Sequence, residues 1–488
     1  MLPSTIQDIY SLSPMQEGML FHSLYDTESG VYLNQVRLTL SGEIDKALFR
    51  RAWELVVDRH TALRTSFHWE ELKTPVQVVH TEVDLSWAEQ DWRDLLPDQR
   101  EDRLAAWLQE GRRRPLDLSK APLMRFALVR MSDDVWIFVW IHHHLLLDGW
   151  SLPLVLRDLF SIYRTSRLGM PCRLDPAPPY SAFIDWLEEQ KGADRELFWS
   201  QTLRGFTGPT PIAVDRLHTR PDEGSTPFGE ERLVLPRELL AELQSLAVQG
   251  RVTLNTLLQG VWALLLSRYS GEEDVVFGAT VSGRPADLPR VESIVGLFLN
   301  TLPMRVEADP DRPALFWLQE IQSIAVELRE HEHTPLAQIQ AWSEVPKGVP
   351  LFDSILVFEN FPVDGSELDP GPSARVREMK ITQSTNYPLT LMVSAGLQLY
   401  MQILYDRFRF DAATVCRILA HVRLILEGFA REPLRRLGEA VLLSEPERLE
   451  LLSWNATQRS YELGSCLHEL VEAQAERSPQ AGAVVFEG

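Results

Sequence analysis

Hydrophobic and polar positions repeat with two different periods along the chain, and the alternation between these periods predicts an α/β fold. Residues 36–40 alternate as in a strand, whereas residues 45–60 carry apolar side chains three and four positions apart, which is helical spacing. Residues 124–131 and 135–141 are predicted to be two further strands joined by a polar turn at residues 132–134. The second of these strands is wholly apolar, which predicts burial on both of its faces.

A helix is predicted to follow this apolar strand over residues 151–168. We expect Ser151 to cap its beginning and Gly169 to end it, because hydroxyl side chains favour helix starts and glycine favours helix ends. The proline-rich stretch at residues 171–179 then marks a boundary between two lobes.

A second α/β set begins near Glu230. Residues 254–269 form a strongly apolar segment, which predicts a buried helix, and residues 274–281 read as a strand. Residues 411–432 are predicted to be another helix. The pattern therefore predicts a second lobe of the same α/β class.

These boundaries divide the chain into an N-terminal lobe over residues 1–175, a C-terminal lobe over residues 176–445 and a tail over residues 446–488. The tail begins with charged sequence and finishes just after an apolar run at residues 481–486 that looks like an unfinished β element. We therefore expect the chain to be a piece of a longer polypeptide.

Composition excludes several classes of function. The 488 residues are 45% hydrophobic and 24% charged, as in a globular protein, and the net charge is −21. A general nucleic-acid binder needs a basic surface, and the basic cluster at residues 112–114 is too short to supply one. We expect no nucleic-acid partner.

Cysteine usage and hydropathy indicate a cytosolic protein. The three cysteines, Cys172, Cys416 and Cys466, are far apart and odd in number, so we expect buried or idle thiols rather than disulfides or a metal site. The sequence shows no secretory signal and no apolar stretch of transmembrane length, which predicts a cytoplasmic location and no membrane partner.

Polar chemistry is concentrated where the apolar strand ends, in the sequence Ile-His-His-His-Leu-Leu-Leu-Asp-Gly-Trp-Ser at residues 141–151. Imidazole can accept or give a proton near neutral pH. Asp148, four residues after His144, can pair with that imidazole or fix the loop by binding a cation from elsewhere. Gly149 allows a close backbone approach. The alternative is that these residues are only a polar strand end, in which the histidine makes structural hydrogen bonds and has no catalytic role.

Other chemistries lack their motifs. The sequence has no His-Glu-x-x-His zinc motif, and although His142 and His144 alternate so that they can share a face, no third ligand is in view. A Gly-x-Ser-x-Gly elbow, a Walker loop and a Gly-x-Gly-x-x-Gly motif are also absent, so neither a nucleotide nor a metal is implied.

The segment His143 to Gly149 is similar to the HHxxxDG signature of the condensation domains of nonribosomal peptide synthetases. Further segments resemble other motifs of that family in the expected order, namely residues 13–22, 59–65, 180–186 and 295–301. Residues 333–336 match more weakly, and residues 384–389 depart from the usual charged form of the last motif. The resemblance extends over roughly residues 5 to 450.

The resemblance implies two chloramphenicol-acetyltransferase-like lobes in a V-shaped pseudodimer, with the active site in a tunnel between them. A donor carrier domain and an acceptor carrier domain would bring thioesters on phosphopantetheine arms from opposite faces. The acceptor amine would attack the donor thioester to form a peptide bond. The domain itself would bind no cofactor.

The resemblance also assigns roles to residues. His144 would face the amine, either as a base or as a positioning group, and His143 would be a packing or hydrogen-bonding residue. Gly149 would present backbone near the oxyanion. Asp148 would hold the loop through an ion pair, with Arg64 as the first candidate partner and Arg284 as the second. The residues expected to line the tunnel are Trp150, Ser384, Asn386 and Tyr387.

The sequence also predicts the subtype of condensation domain and the domain that lies next to it. The first motif, at residues 13–22, looks like that of domains whose donor ends in a D-residue and whose acceptor is an L-residue or glycine. Residues 467–486 resemble the opening of an adenylation domain, which predicts an adjacent adenylation partner. We expect the domain to be monomeric. Two alternatives are an acyltransferase that uses free thioesters and a non-catalytic module that recruits carriers.

Overall fold

The computed structural model describes residues 4–25, 30–190, 194–212, 227–359, 369–459 and 466–484. The chain divides into a large compact unit, Met1–Leu442, and a small unit, Leu443–Gly488. The strands, all in the large unit, are β1 (Ile6–Ser11), β2 (Leu33–Gly42), β3 (Thr65–His68), β4 (Val76–His80), β5 (Trp87–Asp91), β6 (Met124–Arg130), β7 (Val135–His143), β8 (Phe228–Leu235), β9 (Asp274–Val281), β10 (Asn300–Glu307), β11 (Ser354–Glu359), β12 (Ala374–Thr382), β13 (Leu389–Ala395) and β14 (Leu399–Asp406).

The helices of the large unit are α1 (Pro14–Tyr25), α2 (Lys46–Arg59), α3 (Pro97–Arg113), α4 (Ser151–Arg167), α5 (Ser181–Glu189), α6 (Asp194–Thr202), α7 (Arg237–Gly250), α8 (Leu254–Ser270), α9 (Ala314–Glu330), α10 (Leu336–Trp342) and α11 (Ala412–Arg431). The small unit holds α12 (Glu445–Trp454) and α13 (Leu467–Arg477), neither of which has a buried residue. The apolar run predicted at residues 481–486 lies partly outside the described residues.

The N-terminal lobe is built on a five-stranded sheet with the order β12-β2-β7-β6-β5. On one face, Trp53 of α2 packs against Trp140 of β7 with ring centroids 4.8 Å apart. On the other face, Leu104 of α3 belongs to a buried cluster with Val139 and Ile141. Strand β7 is therefore covered on both faces, as its unbroken apolar sequence predicted.

The C-terminal lobe is built on a six-stranded sheet with the order β10-β9-β11-β13-β14-β8. Helix α8 is the most buried helix of this lobe, and Trp262 at its centre is completely inaccessible to solvent. The helices predicted at residues 254–269 and 411–432 and the strand predicted at 274–281 are all present at those positions.

One strand crosses between the lobes. Strand β12 lies within the range that the sequence assigned to the C-terminal lobe, yet it pairs antiparallel with β2 from Ala374 opposite Gly42 to Thr382 opposite Gln35. The N-terminal sheet is therefore completed by residues that follow the proline-rich boundary by some two hundred positions. The two sheets remain separate, but a strand from the second half of the chain belongs to the sheet of the first.

Three local expectations are resolved by the structure. Helix α4 begins at Ser151 and its N-cap residue is Trp150, which makes no capping bond with its side chain. The Asp148 carboxylate instead accepts from the Ser151 backbone N–H at 2.9 Å. The expectation that Ser151 caps this helix is wrong, because its hydroxyl is used elsewhere. Gly169 follows α4 with a φ of 64°, as a helix-ending glycine should. The cysteines were expected to be buried or idle, and all three are exposed free thiols.

Candidate active site

His144 lies immediately after β7, in a short 3-10 turn that ends at Leu146. Its backbone N–H donates to the carbonyl of Tyr32 at 2.8 Å. Its Nδ1 lies 2.9 Å from the Leu147 carbonyl oxygen, and because a carbonyl can only accept, Nδ1 carries the proton. Burial lowers the pKa of this imidazole below its ordinary value. His144 is therefore a neutral ring with a free lone pair on Nε2.

His143 faces the opposite side of the strand end and is fully engaged in hydrogen bonds. Its Nδ1 accepts from the Leu145 backbone N–H at 3.2 Å, which places the proton on Nε2, 3.2 Å from the Ser23 hydroxyl. That hydroxyl in turn donates to the Met19 carbonyl at 2.7 Å. Burial lowers the pKa of His143 to about 3. These contacts fit a hydrogen-bonding role, as proposed from the sequence.

Asp148 is buried and pairs with Arg284, whose nearest guanidinium nitrogen lies 3.2 Å from Oδ1. Oδ2 accepts from the backbone N–H of Phe298 at 3.1 Å, and Oδ1 accepts from the Ser151 hydroxyl at 2.8 Å. The Gly296 carbonyl oxygen lies 2.9 Å from the same hydroxyl, so the two acceptors share its one proton. The carboxylate thus joins the histidine segment to the loop that precedes β10.

Arg64, the first candidate partner of Asp148, has a different environment. It donates to the carbonyl oxygens of Asp58 and His80 and to the Gln7 side chain, all within the N-terminal lobe. The expected Arg64–Asp148 pair is therefore wrong, and the second candidate makes the contact. Arg64 ends a short 3-10 turn, and from there its guanidinium can donate to nearby carbonyl oxygens. The spacing of residues along the sequence did not reveal these contacts.

A cavity of about 1420 Å³ is lined by both lobes. The predicted site residues that line it are His144, Asp148, Gly149, Trp150, Arg284, Ser384, Asn386 and Tyr387. His142 also lines it, so this ring shares a face with His144, whereas His143 and Arg64 are not among the lining residues. The structure therefore brings the histidine segment and residues 384–387 to one cavity.

Two residues that sequence reasoning missed connect these segments. The Tyr32 hydroxyl donates to Asn386 Oδ1 at 2.7 Å, and the Asn386 amide donates to His22 Nε2 at 3.3 Å. The backbone N–H of Tyr32 also points to the Ser384 carbonyl at 3.4 Å. His22 lies within the first motif, so its presence there was the available signal. Nothing in the sequence around Tyr32 indicated its contact.

Two carboxylates in the cavity wall were also missed. Glu332 follows α9 and Glu359 ends β11, and burial raises the pKa of each to about 7. Within the described ranges, no group of three or more histidine, cysteine, aspartate or glutamate residues is arranged to hold a metal ion. None of the described helices is both long and apolar enough to cross a membrane.

Comparison with known proteins places this geometry in a family. Residues 6–452 match the family described as "Condensation domain". The chain therefore belongs to the condensation-domain family. It is a condensation domain of the kind found in nonribosomal peptide synthetases, where such domains are acyltransferases that form amide bonds.

Curated relatives support this assignment. The chain is 41% identical to one linear gramicidin synthase polypeptide of Brevibacillus parabrevis and 42% identical to another, in each case over 99% of its length. It is 37% identical to chondramide synthase cmdD from Chondromyces crocatus over 92% of its length. The chain spans only 10%, 6% and 12% of these relatives, which are far longer multidomain synthetases.

Solved structures share the fold. The starter condensation domain of rhizomide synthetase RzmA matches with a TM-score of 0.75 at 20% identity, covering 89% of this chain and 98% of that one. The four-domain synthetase AB3403 matches with a TM-score of 0.78 at 17% identity, covering 98% of this chain and 37% of that one. The predicted fold class, two acetyltransferase-like α/β lobes, is confirmed.

Proposed function

We propose that His144 is the group that meets the acceptor amine when this domain forms a peptide bond between two carrier-bound thioesters. The observation that carries the proposal is the neutral imidazole of His144, with Nδ1–H held by the Leu147 carbonyl and Nε2 left unprotonated in the wall of a two-lobe cavity. A lone pair held in one orientation is suited to accept a proton from a nucleophile or to orient it.

The reaction balances without a cofactor. The acceptor nitrogen forms a bond to the donor carbonyl carbon, and the carbon–sulfur bond of the donor thioester breaks. The proton lost by nitrogen reaches the departing sulfur, by way of His144 Nε2 if the ring acts as a base. Holding both thioesters in one cavity contributes further, because proximity and orientation can be worth roughly 7–11 kcal/mol at the extreme.

Asp148 and Arg284 have a structural role in the site. A buried carboxylate that accepts from a guanidinium, a hydroxyl and two backbone N–H groups is already saturated, so it has no free lone pair for a proton transfer. We assign the pair to holding the His144 segment against the C-terminal lobe. Gly149 lines the cavity beside that segment, where its backbone can approach the substrate.

The partners follow from the chemistry of the substrates. An upstream carrier domain would deliver the donor and a downstream carrier domain the acceptor, each on a phosphopantetheine arm. The much longer curated relatives support such a setting. The resemblance of residues 467–486 to the opening of an adenylation domain supports an adenylation domain as the neighbour. The first motif supports a donor that ends in a D-residue and an acceptor that is an L-residue or glycine. The monomeric state and the cytoplasmic location stay predictions.

Mass spectrometry of loaded carriers tests the function. Donor and acceptor carriers are mixed with the wild-type chain or with His144→Ala, and the mass on the acceptor carrier is followed with time. We expect transfer with the wild type and a loss of at least about 10²-fold in rate for the variant, since a general base typically contributes roughly 10²–10⁴-fold. His68→Ala, a histidine on β3 that bonds Ser66, is the matched control.

The same assay separates donor classes. Donors that differ only in the configuration of the last residue should react unequally, with the D-ended donor preferred. A clear preference for the L-ended donor would remove the subtype assignment while leaving the condensation function intact. Equal transfer by the wild type and His144→Ala would instead overturn the role given to the imidazole.

A further inference from the structure

Asn34 lies on the strand beside the histidine segment, on the face that forms the cavity wall. In the β2–β7 ladder it is directly opposite His142. Tyr32, two residues earlier, accepts the His144 backbone N–H, so Asn34 is the diagonal neighbour of His144. Diagonal neighbours in a sheet lie roughly 7–8 Å apart, within reach of one small group held between them. Asn34, His142 and His144 all line the cavity.

The side-chain oxygen of Asn34 has no hydrogen-bond partner among the described residues. The residue is only 6% exposed, and the oxygen itself is inaccessible to solvent. Because the residue lines the cavity, a turn of the side-chain amide about its Cβ–Cγ bond would present the oxygen to a ligand there. Buried polar atoms in proteins nearly always have a partner, and an unpaired one calls for an explanation such as a bound ligand. The neighbouring residue Gln35, which points to the other face of β2, shows the usual behaviour and donates to the Leu108 carbonyl at 3.1 Å.

The attack leaves an N–H group for which a second acceptor near His144 is favourable. A primary amine that has bonded to the thioester carbonyl carries two N–H groups on a positively charged nitrogen. His144 offers one lone pair, on Nε2, because its Nδ1 is protonated and bound to the Leu147 carbonyl. The second N–H is left without a protein partner unless another acceptor faces the same nitrogen.

We propose that Asn34 Oδ1, with the amide turned toward the cavity, accepts this second N–H, so that Asn34 and His144 together hold a primary acceptor amine. The inference rests on the proposed role of His144 and extends it to selectivity at the nitrogen. A secondary amine keeps only one N–H after attack and gains nothing from Asn34. The domain should therefore discriminate against N-alkylated acceptors through Asn34, in addition to any steric effect.

The test compares glycine with N-methylglycine, each loaded on the same acceptor carrier, and measures kcat/KM for both with one donor carrier. In Asn34→Leu, we expect kcat/KM for glycine to fall roughly tenfold to a hundredfold, the usual range for one hydrogen bond to a charged group. The value for N-methylglycine should stay within about twofold of the wild type. The ratio of the two therefore falls, which loss of packing alone would not produce.

Further variants secure this result. Asn34→Ala also removes the amide oxygen but does not add the bulk of leucine. If one of the two variants fails to fold, the other can still be measured. Asn34→Asp keeps an oxygen acceptor and should keep the preference for glycine. Gln35→Met removes an amide from the same strand on the opposite face and should leave the ratio unchanged.

An unchanged ratio in both Asn34→Leu and Asn34→Ala, with normal wild-type turnover, overturns this inference alone. Equal losses for glycine and N-methylglycine also overturn it, because they would show a structural role. If the wild type forms no amide with either acceptor, the proposed function fails and the inference falls with it.

Discussion

Arg284 donates to Asp148 at 3.2 Å, and this buried contact joins the segment that carries His144 to the opposite lobe. The side chains of the two residues are only 5% and 4% exposed. The guanidinium also donates to the carbonyls of Val291 and Ile294 and lies 3.9 Å above the Phe298 ring. Arg284 is therefore held by its own lobe and presents one nitrogen to the other.

Arg284→Met should destabilise the domain and disorder the His144 segment. Removing one partner of a buried ion pair leaves an uncompensated charge and typically costs about 3–5 kcal/mol. Urea unfolding measures the loss, and peptide-bond formation should fall with it. In a double-mutant cycle with Asp148→Asn, the two changes should be strongly non-additive.

Arg64→Met is the control for this cycle, because Arg64 binds carbonyls of the N-terminal lobe and not Asp148. Its effect should add to that of Asp148→Asn within about 0.5 kcal/mol. Strong coupling of Asp148 to Arg64, or additivity with Arg284, would contradict the contacts described above.

The His144 imidazole should titrate below pH 6.5. Burial lowers its pKa, so the neutral form persists to a lower pH than in a free histidine, and protonation on acidification removes the Nε2 lone pair. NMR of histidine-labelled protein measures this titration, and His144→Gln identifies the signal by its disappearance. A midpoint at or above 6.5 would contradict a buried neutral ring.

His142 and His143 should make stability depend on pH. Burial lowers both pKa values to about 3, so below pH 6.5 the unfolded chain takes up protons that the folded chain cannot. Stability is complete above about pH 6.5 and falls as pH decreases from there toward 3. Each ring should cost on the order of 1.4 kcal/mol at pH 5.5.

Denaturant unfolding at pH 7.5 and 5.5 measures this dependence. His143→Gln should reduce the difference between the free energies of unfolding at pH 7.5 and 5.5 by the amount that one histidine contributes. This holds whatever the variant does to stability at pH 7.5. An identical pH dependence in His143→Gln would show that this ring is protonated when folded.

Tyr32 and Asn386 should be energetically coupled. The Tyr32 hydroxyl donates to Asn386 Oδ1 at 2.7 Å, so Tyr32→Phe removes a hydrogen bond worth about 1 kcal/mol and leaves an acceptor unpaired. Asn386→Ala removes the same bond, and the double variant should lose less than the sum. Thermal unfolding supplies the three values, and strict additivity would exclude the contact.

Gly296→Ala should be strongly destabilising. A Cβ on Gly296 would lie 2.0 Å from the ring of buried Tyr180, and the Gly296 carbonyl accepts from both the Asp148 N–H and the Ser151 hydroxyl. Overpacking typically costs about 1–3 kcal/mol. Gly428→Ala, in α11 with no atom within 4 Å of the added carbon, should instead stabilise by roughly 0.5–1 kcal/mol. Similar effects for the two would contradict the packing described.

The local elements were predictable because each follows from its own residues. Strand β7 and helix α2 have unambiguous apolar periods, and the histidine segment lies at a strand end where polar residues interrupt an apolar run. Asp148 was correctly expected to bind an arginine, because a buried carboxylate requires a partner. The choice between Arg64 and Arg284 depended on which loop lies closer, and spacing along the chain carries no such information.

The remaining features depend on contacts between segments that are far apart in the sequence. Strand β12 looks like an ordinary strand of the second lobe, and only the assembled sheets show that it pairs with β2. The sequence around Asn34 and Tyr32 resembles any partly buried strand. Their importance comes from Asn34 lying opposite His142 and from the Tyr32 carbonyl accepting the His144 N–H. Ser151 has the residue type of a cap, but its hydroxyl bonds Asp148 and Gly296 instead.

Strand β12 has a consequence for dissection and engineering of the protein. A fragment that stops at the proline-rich boundary would leave β2 as an open sheet edge, ready to pair with another copy and aggregate. Exchanging one half between related synthetases would likewise place a foreign strand against a native neighbour. A recombination junction that keeps residues 374–382 with the first half, or exchanges both halves together, preserves the ladder on which the histidine strand rests.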